Sequence, residues 1–127
     1  MKVLVVEDEG SIALLLEDML EELGCEVAAS VAHAAEANEV ARTVAADMAL
    51  LDVNLDGKPV FPVARVLRER GIPVVFSTGY GAGSLPTEFA DCPVVGKPFT
   101  MEALRRAISA ALTRTVDRQA DPSRSPA

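Results

Sequence analysis

The segment ADMALLDVNLDG, residues 46 to 57, runs four apolar residues, Met48 to Leu51, directly into Asp52, and the next carboxylate is Asp56. A short apolar run bounded by turn-forming residues reads as a buried strand. A carboxylate carried to the end of the most water-averse segment of a chain requires a chemical reason. Working outward, similar runs occur at Val3 to Val6, around Val27, at Ile72 to Phe76 and at Val94 to Val95.

Between these runs the spacing turns helical. Ile12, Leu15, Leu16, Met19, Leu20 and Leu23 form one apolar face, closed by Gly24 as a C-terminal cap. Further helices are predicted over about 32–45, over 61–70 ending at Gly71, and over 101–112 with Thr100 as N-cap. Strand and helix alternate, which predicts an α/β fold. A parallel sheet then carries helices on both faces, because each return to a parallel strand needs a right-handed crossover. One interval breaks the rhythm: GYGAGSLPTEFADC, residues 79 to 92, is rich in glycine and holds Pro86, so a loop with at most a short helical turn is expected there. Beyond Thr113 the polar, proline-containing segment 114–127 reads as a disordered tail, leaving residues 1–113 as one domain.

The composition narrows the function. At 127 residues the chain is long enough for one sizeable core and one site. Half of its residues are hydrophobic, yet no uninterrupted run approaches the roughly 18 that suggest a membrane span. The opening MKVLVVEDE lacks the apolar region and small-residue cleavage site of an export signal, so a cytoplasmic location is expected. The formal charge of −7 disfavours direct binding to nucleic acid. Cys25 and Cys92 have no metal-ligand spacing and read as free thiols. His33, the only histidine, reads as a solvated residue at the start of the second helix.

In an open parallel sheet, ligands bind beyond the carboxyl ends of the strands. The residues following the apolar runs are Glu7, Asp8 and Glu9, then Asp52, then Ser77 and Thr78, then Lys97. Taken singly, each has a plainer reading. Glu7 and Asp8 suit the start of a helix, Asp52 suits a turn leading to Gly57, Thr78 suits a loop amide, and Lys97 suits the surface. Taken together, they bring acids, a hydroxyl and a lysine to one edge. Clustered carboxylates repel one another unless a cation intervenes, and two or three oxygen ligands suit Mg²⁺. A carboxylate beside Mg²⁺ and a lysine is poised to accept a phosphoryl group, a transfer that depends on positioning and charge neutralisation. Asp52 is then a nucleophile.

The set VVEDE, LLDVNLDG, VVFSTGYG and VVGKPF, in this order and spacing, resembles the receiver domain of bacterial two-component response regulators. The resemblance implies a flavodoxin-like, five-stranded parallel sheet in the order 2-1-3-4-5, its fourth helix here short or poorly formed. It also implies phosphoryl transfer from a histidine kinase or phosphotransfer protein to Asp52. Asp8 and Asp52 would bind Mg²⁺ through their side chains, Asn54 through its backbone carbonyl and Glu7 through a water, while Thr78 and Lys97 would contact the phosphoryl oxygens. With no effector segment after the domain, output is expected through binding of an unknown downstream protein or through a phosphorelay.

The chain departs from the family pattern at Val94, where most similar receivers carry Phe or Tyr. An aromatic instead appears as Tyr80, which resembles the so-called FAT GUY group of single-domain receivers, although that group has alanine where this chain has Ser77. Tyr80 is expected either to shield the acyl phosphate from water or to act as the switch or docking group, and the vacancy at Val94 favours the second role. On the first helix, at ~100° per residue, Leu14 falls on the side of Glu17, Asp18 and Glu21, and is expected to be an exposed docking residue for the phosphodonor. Two alternatives stand beside the phosphoacceptor. One is an interaction module that works without phosphorylation. The other is an aspartyl-phosphate hydrolase of the haloacid-dehalogenase type, which normally places a second aspartate where this chain has Asn54.

Overall fold

The computed structural model describes residues 1–55, 57–79 and 85–120, with side chains described as far as residue 113. In chain order the elements are β1 (Lys2–Val6), α1 (Gly10–Glu22), β2 (Glu26–Val31), α2 (Ala34–Thr43), β3 (Met48–Asp52), α3 (Phe61–Glu69), β4 (Val74–Thr78), β5 (Val94–Gly96) and α4 (Met101–Ala120). The five strands are all parallel, in the order β2-β1-β3-β4-β5. This is the flavodoxin-like order expected from the sequence. A two-stranded ribbon, Asn54–Leu55 against Lys58–Pro59, follows β3. It was not anticipated: two residues a side are too few for any periodicity, and the only cue was Gly57, whose φ of 79° closes the turn.

Alternation along the strands divides the core in two. Val3, Val5, Met48, Leu50, Val75 and Val95 face α1 and α4 and pack on Leu16, Leu20, Leu104 and Ile108. Leu4, Val6, Ala49, Leu51, Val74 and Phe76 face the other way, onto Ala37 and Ala41 of α2 and Val63, Ala64 and Leu67 of α3. All five residues of β3 are buried, including Asp52. Ala37 and Ala41 are the fully buried residues of α2 in this layer.

Gly24 and Gly71, with φ of 83° and 77°, end α1 and α3 as the sequence indicated. The Thr100 hydroxyl accepts from the Ala103 amide at 3.0 Å and caps α4. Two expectations need correction. Leu15, counted with the apolar face of α1, is exposed, because it lies at the edge of an arc centred on Leu16 and Leu20. The last helix does not stop near Leu112 but continues to Ala120, so residues 114–120 of the expected disordered tail are helical. No glycine or proline interrupts that stretch before Pro122. Residues 121–127 of the same segment lie outside the described residues.

Between β4 and β5 the described residues hold no helix beyond a single 3-10 turn, Thr87–Phe89, in line with the weak propensity of that interval. The segment is held from α3 instead. Phe89 is buried against Phe61 and Phe76, with ring centroids 5.7 and 5.5 Å away. The Arg68 guanidinium lies 4.6 Å from the centre of the Phe89 ring and donates to the Glu88 carbonyl and, at 3.1 Å, to Cys92 Sγ. Arg65 donates to Glu88 Oε1 at 2.7 Å. Sequence reading missed this attachment, because charge complementarity across some twenty residues leaves no local pattern. Among the described residues, no helix is long and apolar enough to cross a membrane.

Candidate functional site at the carboxyl edge of the sheet

Hydrogen bonds carry the strand pairing one residue past the strand ends. The Glu7 amide donates to the Val31 carbonyl, Val53 to Ser77, and Lys97 to Thr78, at 3.0, 3.0 and 3.1 Å. The first site residues are therefore fixed by backbone rather than by loop packing. Glu7, Asp52, Ser77 and Thr78 are all buried, with between 1 and 6 % of their surface exposed. Asp8 is exposed.

Lys97 draws the acids together. Its Nζ lies 3.1 Å from Glu7 Oε1 and 3.3 Å from Asp52 Oδ2. The Asn54 amide donates to Asp52 Oδ1 at 3.3 Å, so the residue two positions after the acid orients it. Glu7 Oε2 accepts from the Glu9 amide at 3.1 Å, while Glu7 Oε1 is buried without a well-directed hydrogen bond. One ammonium thus faces two buried carboxylates, with Asp8 alongside.

The electrostatics follow from this imbalance. Burial pushes the Glu7 carboxyl from its usual 4.5 up to about 7; the Glu9 amide and Lys97 act against the rise and Asp52 adds to it. For Lys97, burial opposes the charge, but the contact with Glu7 and the fields of Asp52 and Glu7 prevail and hold the ammonium above its ordinary value. Carboxylate oxygens of Glu7, Asp8 and Asp52 lie within 4.8 Å of one another. The incompletely satisfied Glu7 oxygen and the surplus of negative charge fit a hard divalent cation with oxygen preference.

The residues expected at the site are thus largely brought together: Glu7, Asp8, Asp52, Asn54 and Lys97 by direct geometry, and Thr78 at the end of the neighbouring strand. Leu14 is 64 % exposed on α1, as its angular position required. Tyr80 lies outside the described residues. Val94 pairs with Phe76 and is half-buried beside the aromatic trio, so no aromatic occupies that position of β5.

This fold and edge define a class. Residues 3–109 match the family model of the response regulator receiver domain, and the chain belongs to that family. Among solved structures it is similar to SdrG from Sphingomonas melonis Fr1, at 42 % identity and a TM-score of 0.79, covering 88 % of this chain and 96 % of that one. It is also similar to the response regulator PhyR from Brucella abortus, at 31 % identity and a TM-score of 0.78, covering 93 % of this chain but 50 % of that one. A curated relative, the transcriptional regulatory protein PdtaR of Mycobacterium tuberculosis, is 29 % identical over 117 residues; the match takes in 89 % of this chain and 57 % of PdtaR.

Proposed function

We propose that this receiver domain accepts a phosphoryl group on Asp52 from a histidine kinase or histidine phosphotransfer protein, and passes the signal by phosphorylation-dependent protein binding or by relay. The observation that carries the reading is a buried carboxylate at a strand end, 3.3 Å from a lysine ammonium and within 4.8 Å of two further acids. An Asp52 oxygen attacks phosphorus in line with the leaving group. Charge builds on the equatorial oxygens, and the site's task is to neutralise it.

In this reading Asp8 and Asp52, with the Asn54 carbonyl, would hold Mg²⁺ and Glu7 would act through a water; the ion would supply neutralising charge to the phosphoryl oxygens. Lys97 exchanges part of its contact with Glu7 for a phosphoryl oxygen. The Thr78 hydroxyl, one residue beyond the strand position that pairs with Asp52, is the hydrogen-bond donor to another. The domain accelerates its own phosphorylation and dephosphorylation rather than turning over a separate substrate. The exposed leucines of α1, Leu14 and Leu15, offer an apolar landing for the phosphodonor protein beside the acids. A cytoplasmic setting suits such partners.

Incubation with a small-molecule phosphodonor and Mg²⁺, read by intact mass, tests the proposal. A single phosphoryl addition is expected, abolished in Asp52→Ala and suppressed in Asp8→Ala. Undiminished addition in Asp52→Ala would remove the assignment, and no addition to the folded wild type would favour a module that acts without phosphorylation.

A further inference from the structure

Phe61, Arg65 and Arg68 follow one another at helical spacing on α3, so they share one face of that helix. The short turn Thr87–Phe89 lies across this face. Its backbone bonds are local: the Phe89 amide donates to the Pro86 carbonyl at 2.9 Å, Ala90 to Thr87 at 3.1 Å and Cys92 to Phe89 at 3.0 Å. A single 3-10 turn makes too few such bonds to fix itself, so side-chain contacts decide where it sits.

Those contacts have the anatomy of a bound peptide. One side chain is inserted: Phe89 is buried, while Thr87, Glu88, Ala90 and Asp91 around it are exposed. Its ring stacks on Phe61, meets Phe76 edge-on and lies beneath the Arg68 guanidinium, with Arg65 6.0 Å from the ring centre. The flanking carboxylates take the two arginines, Glu88 pairing with Arg65 and Asp91 lying 3.5 Å from Arg68. A single aromatic anchor in an apolar seat with a polar rim is how short segments dock on protein surfaces. The rim pairs are open to solvent, and exposed ion pairs hold weakly. A turn held in this way can be exchanged for a competitor that makes the same contacts.

We propose that the face of α3 made by Phe61, Arg65 and Arg68 is a docking site for an acidic-aromatic segment of a protein partner, covered in the isolated domain by residues 88–91 of its own chain. Charge complementarity defines the occupant. With the turn lifted away, two arginines and the rings of Phe61 and Phe76 are left facing solvent. A replacement must bring an aromatic ring with a carboxylate just before it and another two residues after it. The Phe76 amide, bonded to the Pro93 carbonyl at 3.0 Å, marks where the lifting stops, so the sheet stays whole. The inference supplies a partner chemistry for the binding output proposed above, but the docking belongs to the unphosphorylated protein and does not depend on Asp52.

The test titrates a synthetic peptide of residues 85–92, carrying Cys92→Ser, into the ¹⁵N-labelled protein. The chain's own turn competes at an effective concentration in the ~mM range, so wild type binds the peptide weakly. Glu88→Lys in the protein, an exposed change that sets a second cation against Arg65, raises the fraction of uncovered sites and is expected to tighten peptide binding by about tenfold. Shifts should concentrate at the amides of Arg65, Arg68 and Phe76 and spare α1. Phe89→Ala in the peptide should abolish binding. A peptide carrying Glu88→Gln and Asp91→Asn should bind about tenfold more weakly, and this difference should vanish at about 1 M salt, where the Debye length is ~3 Å. If E88K does not fold, Asp91→Lys, which loosens the turn from its other side, should show the same gain. Binding no tighter in the loosened variant than in wild type, binding that survives loss of the ring, or shifts away from α3 would each overturn the proposal. Wild-type dimers that the peptide dissociates would assign the face to a second copy and overturn the partner reading. Phosphoryl uptake without peptide docking would refute the docking site alone, and docking in a protein that accepts no phosphoryl group would refute the phosphoacceptor function alone.

Discussion

Replacing Glu7 by Gln should make the metal-free protein more stable at neutral pH and leave it nearly unchanged in mild acid. The folded-state carboxyl titrates near 7 against 4.5 when unfolded, chiefly because burial penalises its charge. Between those values the unfolded chain has released the proton and the folded one has kept it, so stability contributed by the protonated group is full below 4.5 and is lost as pH rises through 7. A shift of that size corresponds to about 3 kcal/mol, and Glu7 is buried enough that solvent screening reduces it little. Urea unfolding of wild type and Glu7→Gln in the presence of a chelator, at intervals from pH 4.5 to 8, isolates the effect, because the other titrating groups cancel in the difference. The variant's advantage should grow across this range toward about 3 kcal/mol, and added Mg²⁺ should narrow it at pH 8, where an ion replaces the missing proton. An advantage independent of pH would refute the reasoning, since it would show that Glu7 bears the same charge in both states.

Leu14→Glu should slow phosphoryl transfer from a histidine kinase or phosphotransfer protein by about tenfold, or ~1.4 kcal/mol of docking energy, with rates from small-molecule donors unaltered; equal loss with both donors would indicate a damaged fold. Phe89→Ala, which removes the ring packed on Phe61, Phe76 and Arg68, should cost about 3–5 kcal/mol in urea unfolding, and a loss below about 1 kcal/mol would show that the segment between β4 and β5 is held by other means. Tyr80→Ala should leave the lifetime of the phosphorylated state near wild type while abolishing phosphorylation-dependent partner binding. The opposite pattern, severalfold faster hydrolysis with binding intact, would make Tyr80 a water shield.

Much of this protein was legible in its sequence because its central strands are buried on both faces. Such strands must be continuous apolar runs, so Val3 to Val6 and Met48 to Leu51 announce themselves, and the residue that ends each run is delivered to the sheet edge by the chain's own periodicity. That is why Glu7, Asp8, Asp52, Thr78 and Lys97 could be named as one group without coordinates. Leu14 was equally accessible, since a helix's exposed face follows from angle alone. What remained hidden depends on distances between segments remote in sequence. The two-residue ribbon after β3 has too few residues to carry a period. The grip of Arg65 and Arg68 on Glu88 and Phe89 joins α3 to a segment whose own propensity says only that it is not a helix. The burial that moves the Glu7 carboxyl toward neutrality is a sum over neighbours from several elements. So is the contact of Lys97 with both acids: composition and spacing place all three at the edge, but only the order in which the strands lie side by side brings one ammonium within reach of Asp52 and Glu7 together.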